Sequence, residues 1–343
     1  MVAAPRLCLG PPRFRRIHVS MPVERVRVRA PARLHFGVLD LRGILGRRFG
    51  GMGAAVPAPA LELEAERAEG YFASGPDAER ALAFARRYGD AAGLPGGARI
   101  RVTQAMPVHS GLGSGTQLAL SVARALAELY GRPHDAATLA RQVRRGARSG
   151  VGTWLFERGG FVLEGGRREG AGLAPLLTRL PMPESWRCVL AVPASSPGLS
   201  GEAEAEAFRI LPAPPEREVE HIAHLVLMQL LPALVEEDLA DFGAALAEVQ
   251  HVTGQWFAAS QGGPFAPGPT AQLIACFRGS GAAGVGQSSW GPAVYGLVGS
   301  DGAADRLAGI AREQVGAGGL VVAGAFANRG AVVQLLTRGF STD

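Results

Sequence analysis

The sequence predicts a mixed α+β fold in two domains, and three observations carry that prediction. Runs of period-two alternation interleave with runs of helical period along the chain. A length of 343 residues exceeds what one hydrophobic core usually serves. Hydrophobic residues at 47% and charged residues at 19% suit a packed chain rather than a disordered one.

Residues 1–23 contain arginine and proline, no acid and no long apolar run, and read as a loose extension rather than a secretory signal, with Met21 as an alternative start. From Glu24, ERVRVRAPARLHFGVLDL alternates, predicting a strand over 24–29 and, past Ala30-Pro31, a second over 33–39. A turn-rich stretch at 43–53 precedes a strand over 60–66, and Asp77 is placed to cap a helix reaching Tyr88. The strand RIRVTQ runs into the loop AMPVHSGLGSG. From Thr116 to Tyr130, Leu118, Val122, Ala125, Leu126 and Leu129 share one helical face, and Gly131 stops the helix. A helix over 136–147, the strand GGFVLEGG and the buried strand WRCVLAV (186–192) complete a first domain over 24–192.

The second domain, 193–343, has a proline-rich segment LPAPPERE at 211–218 and two long helices over 217–236 and 238–253, with Pro232 either kinking the first or beginning its last turn. A helix over 269–279, a glycine-rich loop at 284–292, a strand over 293–299, a helix over 302–315 and a strand over 319–325 follow.

Composition removes several chemistries. The 35 basic residues are all arginine, so a Walker lysine, a Schiff base and a lysine general base are absent. Arginine binds phosphate bidentately, and with a pI of 9.7, dispersed arginines and only 6% aromatic residues, the charge suits an anionic small substrate better than nucleic acid. Cys8, Cys188 and Cys276 are odd in number and far apart, which disfavours a disulfide framework or zinc site and points to a reducing cytoplasm. No run of about 20 apolar residues predicts a membrane span. His221 and His224 share a helix face but lack a third ligand at metal-binding spacing.

The most informative segment is PVHSGLGSGTQLAL, 107–120, where a glycine-rich loop opens a helix. Gly111, Gly113 and Gly115 permit tight turns and close approach, so backbone amides and the positive helix end can face phosphate, while Ser110, Ser114 and Thr116 add hydroxyls. Arg145 and Arg148 would neutralise the bound charge; Arg141 and Arg144 read as a solvated face. In ARLHFGVLDL, Arg33 and His35 share a polar strand face. Asp40 reads either as a magnesium-bridging carboxylate or as a turn former before Arg42-Gly43.

Pro107 to Ser114 resemble the phosphate loop of the GHMP small-molecule kinases, departing at Gly115, Thr116 and Gln117, where those kinases carry serine, alanine and alanine. The variant GLGSGTQLAL is similar instead to the β-ribofuranosylaminobenzene 5′-phosphate synthase family. RVRAPARLHFGVLDL (27–41), RRGARSGVGTWLFERGGFVLEGG (144–166), HLVLMQLLPALVEEDLADFG (224–243), GQSSWGPAVYGL (286–297) and FANRGA (326–331) agree with it in order.

The resemblance implies a ribosomal-S5-like first half and a ferredoxin-like second half. It also implies condensation of 4-aminobenzoate with phosphoribosyl pyrophosphate, with loss of carbon dioxide and pyrophosphate, in tetrahydromethanopterin biosynthesis. Residues 110–116 would cradle pyrophosphate. Arg33 would hold the benzoate carboxylate or the 5′-phosphate, His35 would donate to an oxygen, and Asp40 would carry Mg2+. Ser288, Ser289 and Trp290 would close over the ligand beside Gln117, with Trp290 either stacking on the ring or packing in the core. A homodimer is the oligomer to expect, and an ATP-dependent kinase of the same fold is the competing activity.

Overall fold

In a computed structural model, residues 23–194, 198–199 and 201–336 are described. Of the expected extension only Val23 falls among them. β1 (Arg25–Asp40) and β2 (Phe49–Ala68) form a long antiparallel hairpin. Ala30-Pro31 does not split β1 as expected, because a register shift between Ala30 and Ala32 absorbs the proline and pairing resumes. β3 (Phe72–Ser74), α1 (Ala78–Ala92), β4 (Gly97–Gln104), α2 (Ser114–Leu129), α3 (Ala136–Gln142), α4 (Val151–Arg158), β5 (Phe161–Glu164) and β6 (Leu176–Leu180) follow.

β7 (Arg187–Val192) opens the second half. After it come α5 (Gly201–Ile210), α6 (Glu216–Leu225), a π-turn over Val226–Leu230, α7 (Leu231–Val235), α8 (Leu239–Gln261) and α9 (Pro269–Gly279). β8 (Gly284–Gln287), β9 (Val294–Val298), α10 (Asp301–Gln314), β10 (Leu320–Ala325) and β11 (Val332–Leu336) close the chain. Pro232 sits in the first turn of α7, just after the π-turn, within the continuous helical run Glu216–Val235, so it begins the last turn of that run.

Two sheets result. The first runs β11-β1-β2-β4-β3, with β5 on β2 and β6 on β5; the second runs β10-β7-β9-β8. The two sheets exchange strands across the expected division at 192. β7 already belongs to the second sheet, and β11 returns to pair antiparallel with β1, Val28 opposite Val333, covering an edge that would otherwise be open.

α2 buries Leu118, Val122, Ala125, Leu126 and Leu129 completely, as its periodicity predicts. One continuous core joins the two sheets: Phe36 meets Tyr295 at 5.0 Å between ring centroids, and Trp186 meets Phe242 at 5.1 Å. The run Glu216–Val235 has the length and hydropathy of a membrane span, which the sequence reading did not anticipate. Ile222, Leu230 and Leu234 from this run lie in the protein core.

Candidate functional site

A cavity of about 310 Å³ opens where β1, the N-terminus of α2, residues 144–149, α5 and α8 converge. Arg33 and His35 contribute from β1. Thr116, Arg144, Arg145 and Arg148 form a cationic wall, and Phe208, Phe257 and Trp290 an aromatic one. Strand alternation explains the floor, since Leu34 and Phe36 between and beyond the polar pair are wholly buried in the core.

At the cationic end, Gly113 caps α2 without any side-chain hydrogen bond, and the amides of Thr116 and Gln117 already bond its carbonyl. Those of Ser114 and Gly115 have no partner among the described residues, leaving two donors at a positive helix end. A Cβ on Gly115 would lie 2.9 Å from the Arg80 guanidinium and 3.1 Å from that of Arg145, so the absent side chain is the space two arginines occupy. Arg80 is held by both carboxylate oxygens of Asp77 at 3.1 Å; Asp77 precedes α1 as expected but pairs with Arg80 rather than bonding the helix amides.

Arg145 lies 5.0 Å over the Phe84 ring with its Nε unpaired, and burial lowers its pKa, with Arg80 and Arg87 adding repulsion. Cations gathered at a helix N-terminus repel one another and the helix end, and a polyanion relieves both. Arg33 donates to the Gly111 carbonyl at 3.0 Å and keeps an unpaired buried Nε; burial lowers it to about 10, so it stays charged. Arg148 pairs with Glu204 at 2.5 Å and lies over Phe208.

Several expected ligand residues hold the protein together instead. Ser288 donates to the Gly111 carbonyl at 2.7 Å and accepts the His35 amide at 3.0 Å, fully buried and off the cavity. Ser110 turns back to the Pro107 carbonyl, and Gln117 bonds the Gly152 carbonyl, tying α2 to α4. Gly111, at φ +89°, has no room for a side chain because Ser288 O would lie 2.0 Å from its Cβ. Gly291 likewise abuts Ser110. The glycines at these two points serve backbone-to-backbone packing of the two loops. Ser289 and Trp290 do line the cavity; Ser289 takes φ 57°, and Trp290 meets Phe257 at 4.8 Å and Phe208 at 5.6 Å edge-on, so it packs and lines at once.

Asp40 is not brought to the cavity. Its Oδ1 accepts the amides of Arg42 and Gly43 at 2.6 and 2.9 Å, closing the turn that was its alternative reading. Among the described residues no three His, Cys, Asp or Glu side chains form a metal-binding group, and His221 instead contacts Glu248 at 3.3 Å. Arg144 lines the cavity against expectation, because α3 ends at Gln142 and Arg144 adopts φ 55°, whereas Arg141 stays on the surface.

Sequence reasoning missed a polar chain beneath the floor. Glu164 is wholly buried and accepts from the Ser149 hydroxyl at 3.0 Å and the Gly150 amide at 2.7 Å; Ser149 Oγ stands 3.4 Å from His35 Nε2. Burial raises Glu164 to about 7 against the pull of those hydrogen bonds and of Arg33. Burial, then Arg33, lowers His35 to about 3, so the ring is neutral at physiological pH. A lone acid in the apolar strand FVLE was the available signal for Glu164. Nothing comparable marked Glu204 and Phe208, whose acid-rich helix reads as solvated.

Residues 78–154 match the family described as GHMP kinases N terminal domain, and residues 230–324 match GHMP kinases C terminal. The chain is 36% identical over 290 residues to β-ribofuranosylphenol 5′-phosphate synthase of Archaeoglobus fulgidus, covering 80% of this chain and 88% of that one. It is 33% identical over 333 residues to the protein of the same name from Methanothermobacter thermautotrophicus, covering 91% and 99%. Among solved structures, homoserine kinase from Cytophaga hutchinsonii superposes with a TM-score of 0.70 at 18% identity, over 93% of this chain and 100% of that one, a likeness of fold alone.

Proposed function

The chain belongs to the GHMP-kinase fold family and, within it, to the family of the β-ribofuranosylphenol 5′-phosphate synthases, and on that premise we propose that it ribosylates a para-substituted benzoate. Phosphoribosyl pyrophosphate is the donor, 4-aminobenzoate the acceptor, and carbon dioxide and pyrophosphate leave. The relatives' name specifies a phenol in the product, so 4-hydroxybenzoate, differing only in its para donor group, is the acceptor to compare. The observation that carries the reading is one cavity with a cationic end at a helix N-terminus and an aromatic end beside it.

In this reading the pyrophosphate lies against the free amides of Ser114 and Gly115, with Arg80, Arg145 and Arg148 neutralising charge; each charge-assisted contact contributes about 1.5–3 kcal/mol. The acceptor ring packs on Phe208, Phe257 and Trp290, and Arg33 holds its carboxylate, fixing which ring carbon faces the ribosyl centre. As the bond from C1 to pyrophosphate breaks, the para nitrogen pushes electrons through the ring and the carboxyl-bearing carbon bonds to C1. The bond to the carboxylate then breaks, its electron pair restores aromaticity, and no ring proton has to be removed.

Magnesium, implied by the family resemblance, would enter as a companion of the pyrophosphate, whose oxygens would supply most of its ligands; Glu204, paired with Arg148, is the carboxylate that lines the cavity among the described residues, and bound there the ion would supply further charge neutralisation. The proposed setting is a reducing cytoplasm, in which Cys188 and Cys276 remain free thiols.

The test is release of labelled carbon dioxide from carboxyl-labelled 4-aminobenzoate with phosphoribosyl pyrophosphate and magnesium, beside an ATP-only control. Release that requires phosphoribosyl pyrophosphate is expected. No release, with ATP consumed on an alcohol, would return the chain to phosphoryl transfer.

A further inference from the structure

Ribosyl transfer to an amine-bearing acceptor leaves one buried acid without a task. Glu164 is sealed from the cavity, but Ser149 and His35 both line it, so the contacts of 3.0 and 3.4 Å make a continuous polar path from the cavity to the buried carboxylate. We propose that, with 4-hydroxybenzoate as acceptor, the hydroxyl proton passes through His35 and Ser149 to Glu164 and returns to the ribosylated phenol after carbon dioxide leaves. The proposal rests on the ribosyl-transfer reading of the site.

The two para groups make different demands. A neutral amine donates its lone pair into the ring without losing a proton. A hydroxyl is a weaker donor and becomes a strong one only as the phenolate, so its proton needs somewhere to go. The phenolate pushes its electrons through the ring, the carboxyl-bearing carbon bonds to C1, and the bond from C1 to pyrophosphate breaks. The carboxylate then leaves as carbon dioxide, its bonding pair regenerates the phenolate, and Glu164 returns the proton by the same path. No proton is consumed and no oxidant or reductant enters.

Geometry suits this division of labour. Arg33 and His35 are two residues apart on one strand face, about 6.6 Å along the strand. That is close to the reach from the carboxyl group of a para-hydroxybenzoate to its hydroxyl, so Arg33 can hold one end while His35 meets the other. With Nε2 toward Ser149, His35 Nδ1 has no hydrogen-bond partner among the described residues and remains available to the acceptor. His35, held near 3, passes a proton but does not keep one, whereas Glu164, near 7, keeps it.

The charged or titratable side chains acting on Glu164 come from β1, as Arg33 and, through Ser149, His35. Its partners on the flanking strands β2 and β6 are Gly51 and Leu176, and the turn into α4 offers Ser149 and backbone amides. Glu164 touches no substrate atom and acts as a positioning residue through Ser149.

The experiment measures initial rates of carbon dioxide release with each acceptor, for the wild type and Glu164→Gln, across a pH range spanning 7. Wild-type turnover of 4-hydroxybenzoate should rise along an acid limb near pH 7 that turnover of 4-aminobenzoate lacks. Glu164→Gln should lower the ratio of hydroxybenzoate to aminobenzoate turnover about 100-fold. Should that variant fail to fold, Ser149→Ala and the wild-type profiles read the same ratio and the same limb. Equal losses on both acceptors, or one limb shared by both, would overturn the relay and leave Glu164 structural. Release from 4-aminobenzoate with none from 4-hydroxybenzoate overturns the relay but not the proposed function; release from neither overturns both.

Discussion

The Arg145 guanidinium stands 3.1 Å from the point that a Cβ on Gly115 would occupy. The departure from the kinase loop is thus a spatial one: glycine replaces the kinases' serine, and arginines stand over the helix end. Gly115→Ser should displace Arg145 and Arg80 and weaken pyrophosphate binding about tenfold, or about 1.4 kcal/mol. Calorimetric titration with pyrophosphate checks this; undiminished affinity would mean the guanidiniums do not need the gap.

Arg145 and Arg141 lie four residues apart, yet only Arg145 faces the cavity. Arg145→Ala should raise KM for phosphoribosyl pyrophosphate roughly 10- to 100-fold, corresponding to about 1.5–3 kcal/mol for a charge-assisted contact. Arg141→Ala should leave it within about twofold. Steady-state kinetics at fixed acceptor separates the two, and equal effects would reassign the wall.

Ser288 bridges the two glycine loops while buried, donating to the Gly111 carbonyl and accepting the His35 amide. Ser288→Ala strands the His35 amide and should cost about 1–3 kcal/mol of stability. Urea unfolding provides the measurement. A loss of substrate affinity at unchanged stability would restore the ligand role expected from sequence.

Glu164 should also leave a mark on stability. Burial raises its folded pKa to about 7 from an ordinary 4.5, so between these values the folded protein binds more protons than the unfolded chain. Its contribution is fully present below 4.5 and is lost as pH rises to about 7, on the order of 3 kcal/mol in all. Wild type minus Glu164→Gln unfolding free energies should fall across that window and level off above it; a flat difference would place the Glu164 pKa near its unfolded value.

Much of the fold was legible because it depends on local pattern. The α2 face from Leu118 to Leu129 and the alternation placing Arg33 and His35 opposite Leu34 and Phe36 need only periodicity to be read. The break at Ala30-Pro31 was misread because a bulge is a property of strand pairing. The exchange of β7 and β11 between the sheets was illegible for a similar reason: strands are assigned to sheets by their partners, not by their order.

Residue pattern alone carried the family-type loop, the absence of lysine, the cationic character of the site and the longer helices, but not β3, β6, α5 or β11. Which polar residues face the cavity was settled by packing between distant segments. Ser110, Gln117, Ser288 and Asp40 carry the chemistry a ligand would want, but each is held by a backbone partner. Glu204, Phe208 and Arg80 reach the cavity and the helix end from segments remote in sequence from the phosphate loop, and Glu164 reaches Ser149 the same way. The physical reason is that a hydroxyl or carboxylate meets its hydrogen-bonding demand with whichever group folding brings within about 3 Å, and that proximity is set by packing between distant segments.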